Sequence, residues 1–234
     1  MTTSARRDEI SGNVADVRAR IAEATVRAGR LDPPQLVVVT KTYPASDIAI
    51  LAELGVRDIA ENRDQEAKAK FEECRELDLR WHMIGQVQRK KASSVLTWAD
   101  MVETVDRPEL AVALDRAALA QGKVLEVLVQ ISLDVPIRTD RGGVQLDQLD
   151  ALVDLVGECP GLSLTGVMAV APYPGDPDEA FGRLDAVVQR LRSRGCGIEI
   201  VSAGMSDDLE AAIAHGTTQV RVGGSILGAR PLVQ

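Results

Sequence analysis

"VVVTKTYP", residues Val37 to Pro44, runs three valines and a threonine into a lysine before it reaches a proline. Such β-branched residues suit a buried, pleated surface, and proline can end a strand but not continue a central one. The next residues, "ASDIAILAELG", have helical spacing, with Ser46 expected as N-cap and Gly55 as the C-terminal stop. Strand then helix makes one βα unit.

The unit recurs downstream. Strand "RDIAEN" precedes helix "DQEAKAKFEECREL", "RWHMIG" precedes "QRKKASSVLTWA", and "MVETVD" precedes "PELAVALDRAALAQG". Then "LEVLVQISL" precedes "LDQLDALVDLVGEC", "LSLTGVMAVA" precedes "DEAFGRLDAVVQRLRSRG", and "IEIVSAG" precedes "SDDLEAAIAHG", before the last strand "TQVRVGGSILG". Upstream, Ile10, Val14, Val17, Ile21, Ala24 and Ala28 recur at three- and four-residue steps, an amphipathic helix from Asp8 to about Arg30. About eight parallel strands in a chain near the usual barrel length of about 250 residues predict a single (β/α)8 TIM barrel with an extra N-terminal helix. The rival, an open doubly wound sheet, lacks a GxGxxG after the first strand and a Pro/Gly/Ser-rich linker between halves. One domain over residues 1–234 is expected, with no second domain after the last strand.

Composition agrees: 234 residues with 45% hydrophobic and 26% charged side chains can bury a sizeable core. A net charge of -8 with scattered Lys and Arg argues against a nucleic-acid surface. No segment approaches the roughly 18 apolar residues of a membrane span, and "MTTSARRDEISGN" lacks a signal-peptide core, so the cytoplasm is the expected location. Cys74, Cys159 and Cys196 are far apart without a CxxC spacing, which predicts reduced, largely structural thiols and no thiolate metal site.

In such a barrel the reactive groups stand at the C-terminal strand ends. Alternation puts Val37, Val39 and Lys41 on one face and Val38 and Thr40 on the other, so Lys41 is the last inward candidate before the loop. A lysine snorkelling from a strand end is the plain alternative. "AEN" and "WHMIG" are expected to bring Glu61, Asn62 and His82 to or near the same rim, although a strand histidine also reads as a hydrogen-bonded core residue. "VSAGMSDD" predicts a turn into a helix, with Ser206 as N-cap and Asp207 and Asp208 in the first turn. Arg221 alternates with Val220 and Val222 and so points away from them, and Gly223, Gly224 and Ser225 follow at once.

Exposed backbone amides and small hydroxyls after strands 7 and 8 are the usual phosphate cradle of these barrels. A lysine amine desolvated at the mouth near another cation has a lowered pKa and attacks aldehydes. Pyridoxal 5′-phosphate (PLP) fits both ends.

These segments resemble the YggS/PROSC family, the pyridoxal phosphate homeostasis proteins, single-barrel relatives of the alanine racemase N-terminal domain. "VVVTKTYP" is similar to its lysine-bearing strand, "IAENRDQE" to F-G-E-N-x-x-Q-E, and "WHMIGQVQRKK" to W-H-F-I-G-x-x-Q-x-x-K. "AGMSDDLEAAIAHGTTQVRVGGSILG" is similar to G-M-S-x-D-x-x-x-A-I-x-x-G-x-x-x-V-R-I-G-x-x-I-F-G. The resemblance implies a Schiff base between PLP and Lys41, Arg221 facing the pyridine nitrogen, and Ser206, Gly223, Gly224 and Ser225 holding the phosphate. Asn62 and Met205 then lie near the ring, and His82 joins the cofactor-binding set from its expected rim position. The chain departs from the family at Arg63, commonly tyrosine, and at Gly224, commonly threonine. The lost threonine hydroxyl is expected to weaken the phosphate grip by about 1 to 2 kcal/mol without abolishing it.

Two function classes follow: a PLP carrier in homeostasis or delivery to apo PLP-dependent enzymes, and a PLP-dependent amino-acid racemase. A Schiff-base aldolase is a third. An arginine at the pyridine nitrogen weakens the ring as an electron sink. Racemisation also needs a second base opposite the lysine, which alanine racemase takes from a tyrosine of an additional domain of a partner subunit. Here Tyr43 and Tyr173 are the only tyrosines and both fall in expected loops. The carrier is therefore the expected function, as a monomer rather than a racemase-type dimer.

Overall fold

Val37 lies level with Arg221, and Val38 with Val222, where β1 (Gln35–Val39) pairs in parallel with β8 (Gln219–Val222). That pairing closes the sheet. The computed structural model describes residues 3–136, 138 and 140–228, and the ends of the expected 1–234 domain lie outside the described residues. Between β1 and β8 come β2 (Asp58–Glu61), β3 (Arg80–Met83), β4 (Met101–Val105), β5 (Leu125–Ile131), β6 (Leu162–Ala169) and β7 (Ile200–Ser202), in sequence order around a closed parallel barrel. The (β/α)8 TIM barrel expected from the alternation is present.

The outer ring comprises α2 (Ala45–Glu53), α3 (Asp64–Glu73), α4 (Ala92–Val95), α5 (Pro108–Ala120), α6 (Leu149–Gly157), α7 (Pro177–Ser193) and α8 (Leu209–Ala214), with a short α9 (Gly224–Leu227) after the last strand. The expected N-terminal helix is α1 (Thr3–Arg27), which buries Ile10, Val14, Val17, Ile21 and Ala24 and packs on α8 and α9. Strand alternation divides the core in two. Val38, Ile59, Trp81, Val102, Val127, Val167 and Val220 pack among the helices, whereas Val37, Val39 and Ala60, and separately Met101, Leu128 and Met168, form apolar clusters within the barrel.

Three local expectations are corrected. Pro44, extended at φ -73 and ψ 160, is the residue before α2, so Ser46 falls inside the first turn and is not the N-cap. "QRKKASSVLTWA" yields a 3-10 turn at Arg89–Lys91 and the four-residue α4, because Val95, Leu96 and Trp98 are drawn into the core and Trp98 Nε1 donates to Asp64 at 3.1 Å. Helix α8 begins at Leu209 with Asp208 in the N-cap position, so Ser206 and Asp207 stand before it in the turn.

Candidate functional site

Lys41 stands half-buried directly beyond β1, at the C-terminal mouth of the barrel. The next residue, Thr42, takes φ 72, a left-handed conformation costly for a side chain branched at Cβ. Its backbone N–H donates to Glu66 of α3, and Lys70 Nζ, one turn along that helix, donates to Thr40 O, Glu61 Oε1 and Glu66 Oε1, each at 2.7 Å. The turn carrying Lys41 is thus tied down from outside the sheet. Lys70 was not legible as part of the site, although its i, i+4 spacing from Glu66 marked the ion pair.

Glu61, expected at the rim, instead faces the helix layer, because Ala60 occupies the inward position of β2. Burial pushes its carboxyl above the ordinary value against the pull of Lys70. Glu66 shifts the other way: burial raises it, but Lys70 and the Thr42 N–H together hold it below the usual range.

Two turns, after β7 and β8, stand at the same C-terminal mouth. In the first, Gly204 has φ 90, and a Cβ there would sit 2.6 Å from that of Ala212. The turn brings out Met205, 38% exposed, and half-buried Ser206, while Asp208 accepts the Met205 N–H at 2.6 Å. In the second, Gly223 lies against β1, where a Cβ would be 3.0 Å from Val39 O, and Gly224 and Ser225 are exposed. The leading N–H groups of α9 have no partner inside their own helix. A Cβ on Gly224 would meet nothing within 4 Å.

The N-terminal helix, which sequence reading left without a role, holds both turns. Arg20 donates to Ser206 O at 3.1 Å, Asn13 to Ile226 O at 2.8 Å and Arg6 to Leu227 O at 2.9 Å. Tyr43 also donates its hydroxyl to Gly228 O at 2.6 Å, joining the Lys41 turn to the end of α9.

Arg221 points into the barrel as expected and is 3% exposed. Its guanidinium donates to Ser202 Oγ at 2.5 Å and to Ala169 O at 2.9 Å. Burial draws its pKa down, and Glu103 and Asp208 oppose that. His82 is not at the rim. It is fully buried within the barrel, with Nδ1 2.7 Å from Glu103 and Nε2 3.1 Å from Asp58, so both ring nitrogens are occupied by carboxylates. Burial lowers its pKa, but the two carboxylates outweigh that and push it up to about 9. Glu103 is raised by burial, but His82, Arg221 and Ser202 together hold it below its ordinary value.

Asn62 is half-buried, with Gly85 packed so closely that a Cβ would lie 2.0 Å from Asn62 O. Across the mouth, a cavity of about 210 Å³ is lined by Ile84, Gln86, Gln130, Ser132, Arg141 and Met168 among others. Gln86 donates to Gln130 at 2.8 Å, and Arg141 to Asp134 at 2.8 Å. These polar residues carried no sequence signal separating them from surface residues. Ser132 Oγ there and Thr42 Oγ1 beside Lys41 are buried hydroxyls without a hydrogen-bond partner. A larger depression, about 750 Å³, lies elsewhere, between Gln88–Lys90 and α5.

The donor set fits PLP: an amine, a buried cation, two turns offering amides and hydroxyls, and orphaned hydroxyls at the mouth. Among the described residues no group of three or more His, Cys, Asp or Glu is arranged to hold a metal ion. Cys74, Cys159 and Cys196 form no disulfide. No described helix is long and apolar enough to cross a membrane.

The family model "Alanine racemase, N-terminal domain" matches residues 12–231. The chain is 41% identical over 247 aligned positions to a pyridoxal phosphate homeostasis protein of Mycobacterium bovis, covering 97% of this chain and 95% of the relative. It is 38% identical to the protein of that name from Escherichia coli K12, covering 95% and 97%. PipY of Synechococcus elongatus, solved with PLP bound, superposes with a TM-score of 0.79 at 30% identity, over 94% of this chain and all of that one.

Proposed function

The chain belongs to the pyridoxal phosphate homeostasis proteins of the alanine racemase N-terminal domain family, and on that premise we propose that it captures PLP at the barrel mouth through Lys41 and releases it again without turning over a substrate. The observation that carries this reading is that Arg221 is buried in the barrel level with Val37, while Lys41 lies just beyond β1, two residues after the inward Val39. When bound, PLP supplies an aldehyde that an amine converts reversibly to an imine with loss of water.

Each residue then has a defined task. Lys41 supplies the amine, and the Thr42–Glu66–Lys70 contacts fix the turn that presents it. Arg221 offers a cation to the pyridine nitrogen, held by Ser202 and Ala169 O. Ser206, Ser225 and the amides of Gly223 and Gly224 receive the phosphate, while Asn62 and Met205 flank the ring. His82 acts from below through Glu103, not by contact with the cofactor.

The absence of turnover rests on two features. A guanidinium partner does not protonate the ring nitrogen as a carboxylic acid would, so carbanions gain little stabilisation. Of the two tyrosines, Tyr43 donates to Gly228 O and Tyr173 is 88% exposed beyond β6, so neither is placed as a base opposing Lys41. Racemase and aldolase readings lack a corresponding feature. Apo PLP-dependent enzymes are the proposed recipients, the protein acting as a monomer in the cytoplasm. The test is to mix the PLP-loaded protein with an apo PLP-dependent enzyme: reactivation is expected, and retention of all cofactor on the carrier would reject delivery.

A further inference from the structure

A row of buried polar side chains crosses the barrel beneath the mouth, and the function proposed above uses only its last member directly. From β2 round to β8 it comprises Asp58, His82, Glu103, Ser202, Gln219 and Arg221, each less than a tenth exposed. Glu103 is its centre. One carboxylate oxygen accepts from His82 Nδ1 and Gln219 Nε2, both at 2.7 Å, and the other from Ser202 Oγ at 2.6 Å. The second oxygen also lies 3.9 Å from Arg221 Nη1.

The direction of each bond follows. A hydroxyl has one proton, and Ser202 gives its proton to Glu103, which leaves its lone pairs to accept from Arg221 Nη1 at 2.5 Å and Gln219 Nε2 at 2.9 Å. Ser202 can receive Arg221 because Glu103 is a carboxylate. Charge gives the same result: two carboxylates, Asp58 and Glu103, alternate with two cations, His82 and Arg221, and Asp208 is the further charge acting on Arg221. Interior charges interact far more strongly than charges in water, so removing that of Glu103 would leave His82 with Asp58 alone and Arg221 with Asp208 alone.

We propose that Glu103 is a positioning residue, which through Ser202 orients the Arg221 guanidinium so that the cofactor's ring nitrogen is recognised. The proposal rests on the PLP-binding reading above. It predicts selectivity for the ring nitrogen rather than affinity alone. A charge-assisted hydrogen bond to that nitrogen makes PLP bind at least roughly tenfold more tightly than the analogue in which a C–H replaces the nitrogen.

The experiment measures dissociation constants of PLP and of that ring-carbon analogue for the wild-type protein, Glu103→Gln, Glu103→Asp and Ser202→Ala, with thermal melts confirming that each is folded. Wild type is expected to prefer PLP, Glu103→Gln and Ser202→Ala to lose most of that preference, and Glu103→Asp to recover part of it. Ser202→Ala changes one small group and serves if Glu103→Gln does not fold. Equal weakening for both ligands, or an unchanged preference, in folded variants overturns the proposal. Failure of the wild-type protein to bind PLP at all would instead reject the underlying function, so the two failures are distinguishable.

Discussion

Glu66 accepts the backbone N–H of Thr42, so a side chain on α3 holds the residue that follows Lys41 in its left-handed conformation. Lys70 binds Glu66 and Glu61 together and is itself buried, which makes the presentation of Lys41 dependent on an ion cluster outside the barrel wall. Lys70→Met leaves the Glu61 carboxylate buried without its cation, a change expected to cost roughly 3 to 5 kcal/mol in denaturant unfolding. Replacing Glu61 by leucine as well should recover most of that loss, since the stranded charge goes with it. A double variant no more stable than Lys70→Met would show that the cluster acts by another route.

Lys41→Ala should abolish the covalent link to PLP. Borohydride treatment of the loaded wild-type protein is expected to fix the cofactor on the peptide containing Lys41, read by mass spectrometry, with the visible absorption band lost in the variant. An equally intense band in Lys41→Ala would assign the amine elsewhere.

Phosphate recognition can be both weakened and strengthened. Ser206→Asp places a negative charge in the turn after β7 and should reduce PLP binding strongly while leaving unphosphorylated pyridoxal little changed. Gly224→Thr adds a hydroxyl where the backbone leaves open space, and should tighten PLP binding by roughly 5- to 30-fold. Asn13→Ala, which releases Ile226 O from α1, should act on PLP more than on pyridoxal. Equal effects on both ligands would place these residues in folding and not at the phosphate.

His82 makes stability depend on pH in a definite direction. Its pKa rises from 6.5 to about 9 on folding, so the native state binds the proton more tightly than the unfolded chain. The stabilisation is complete below pH 6.5 and is lost as pH climbs through about 9. A shift of that size corresponds to roughly 3 kcal/mol. His82→Asn should therefore flatten the decline in unfolding free energy across this window. A wild-type protein equally stable at both ends of it would contradict the assignment.

Turnover is the sharpest test of the carrier reading. Loaded protein incubated with L- or D-alanine in deuterated water should exchange little Cα hydrogen, because neither tyrosine opposes Lys41. Deuterium entry at a racemase-like rate would establish the protein as an enzyme.

Local pattern sufficed for the strands, their order and the inward face of Arg221. The alternation of period two that carries Lys41 to the mouth and Arg221 into the barrel is a property of single strands, and the glycines at 204 and 223 mark turns by their missing Cβ. Turns after strands 7 and 8 followed from the same map. The partners of these groups did not. His82 reaches carboxylates 21 and 24 positions away, Ser202 meets Glu103 at a separation of 99 and Gln219 meets it at 116, pairings that exist only once the sheet closes. That Lys70 meets the outward Glu61, and that α1 braces the turns after β7 and β8, went unread for the same reason. A side chain's face is written in its own strand, but what stands opposite depends on the stagger of the barrel and on which helix is laid over it, and only the tertiary structure decides that.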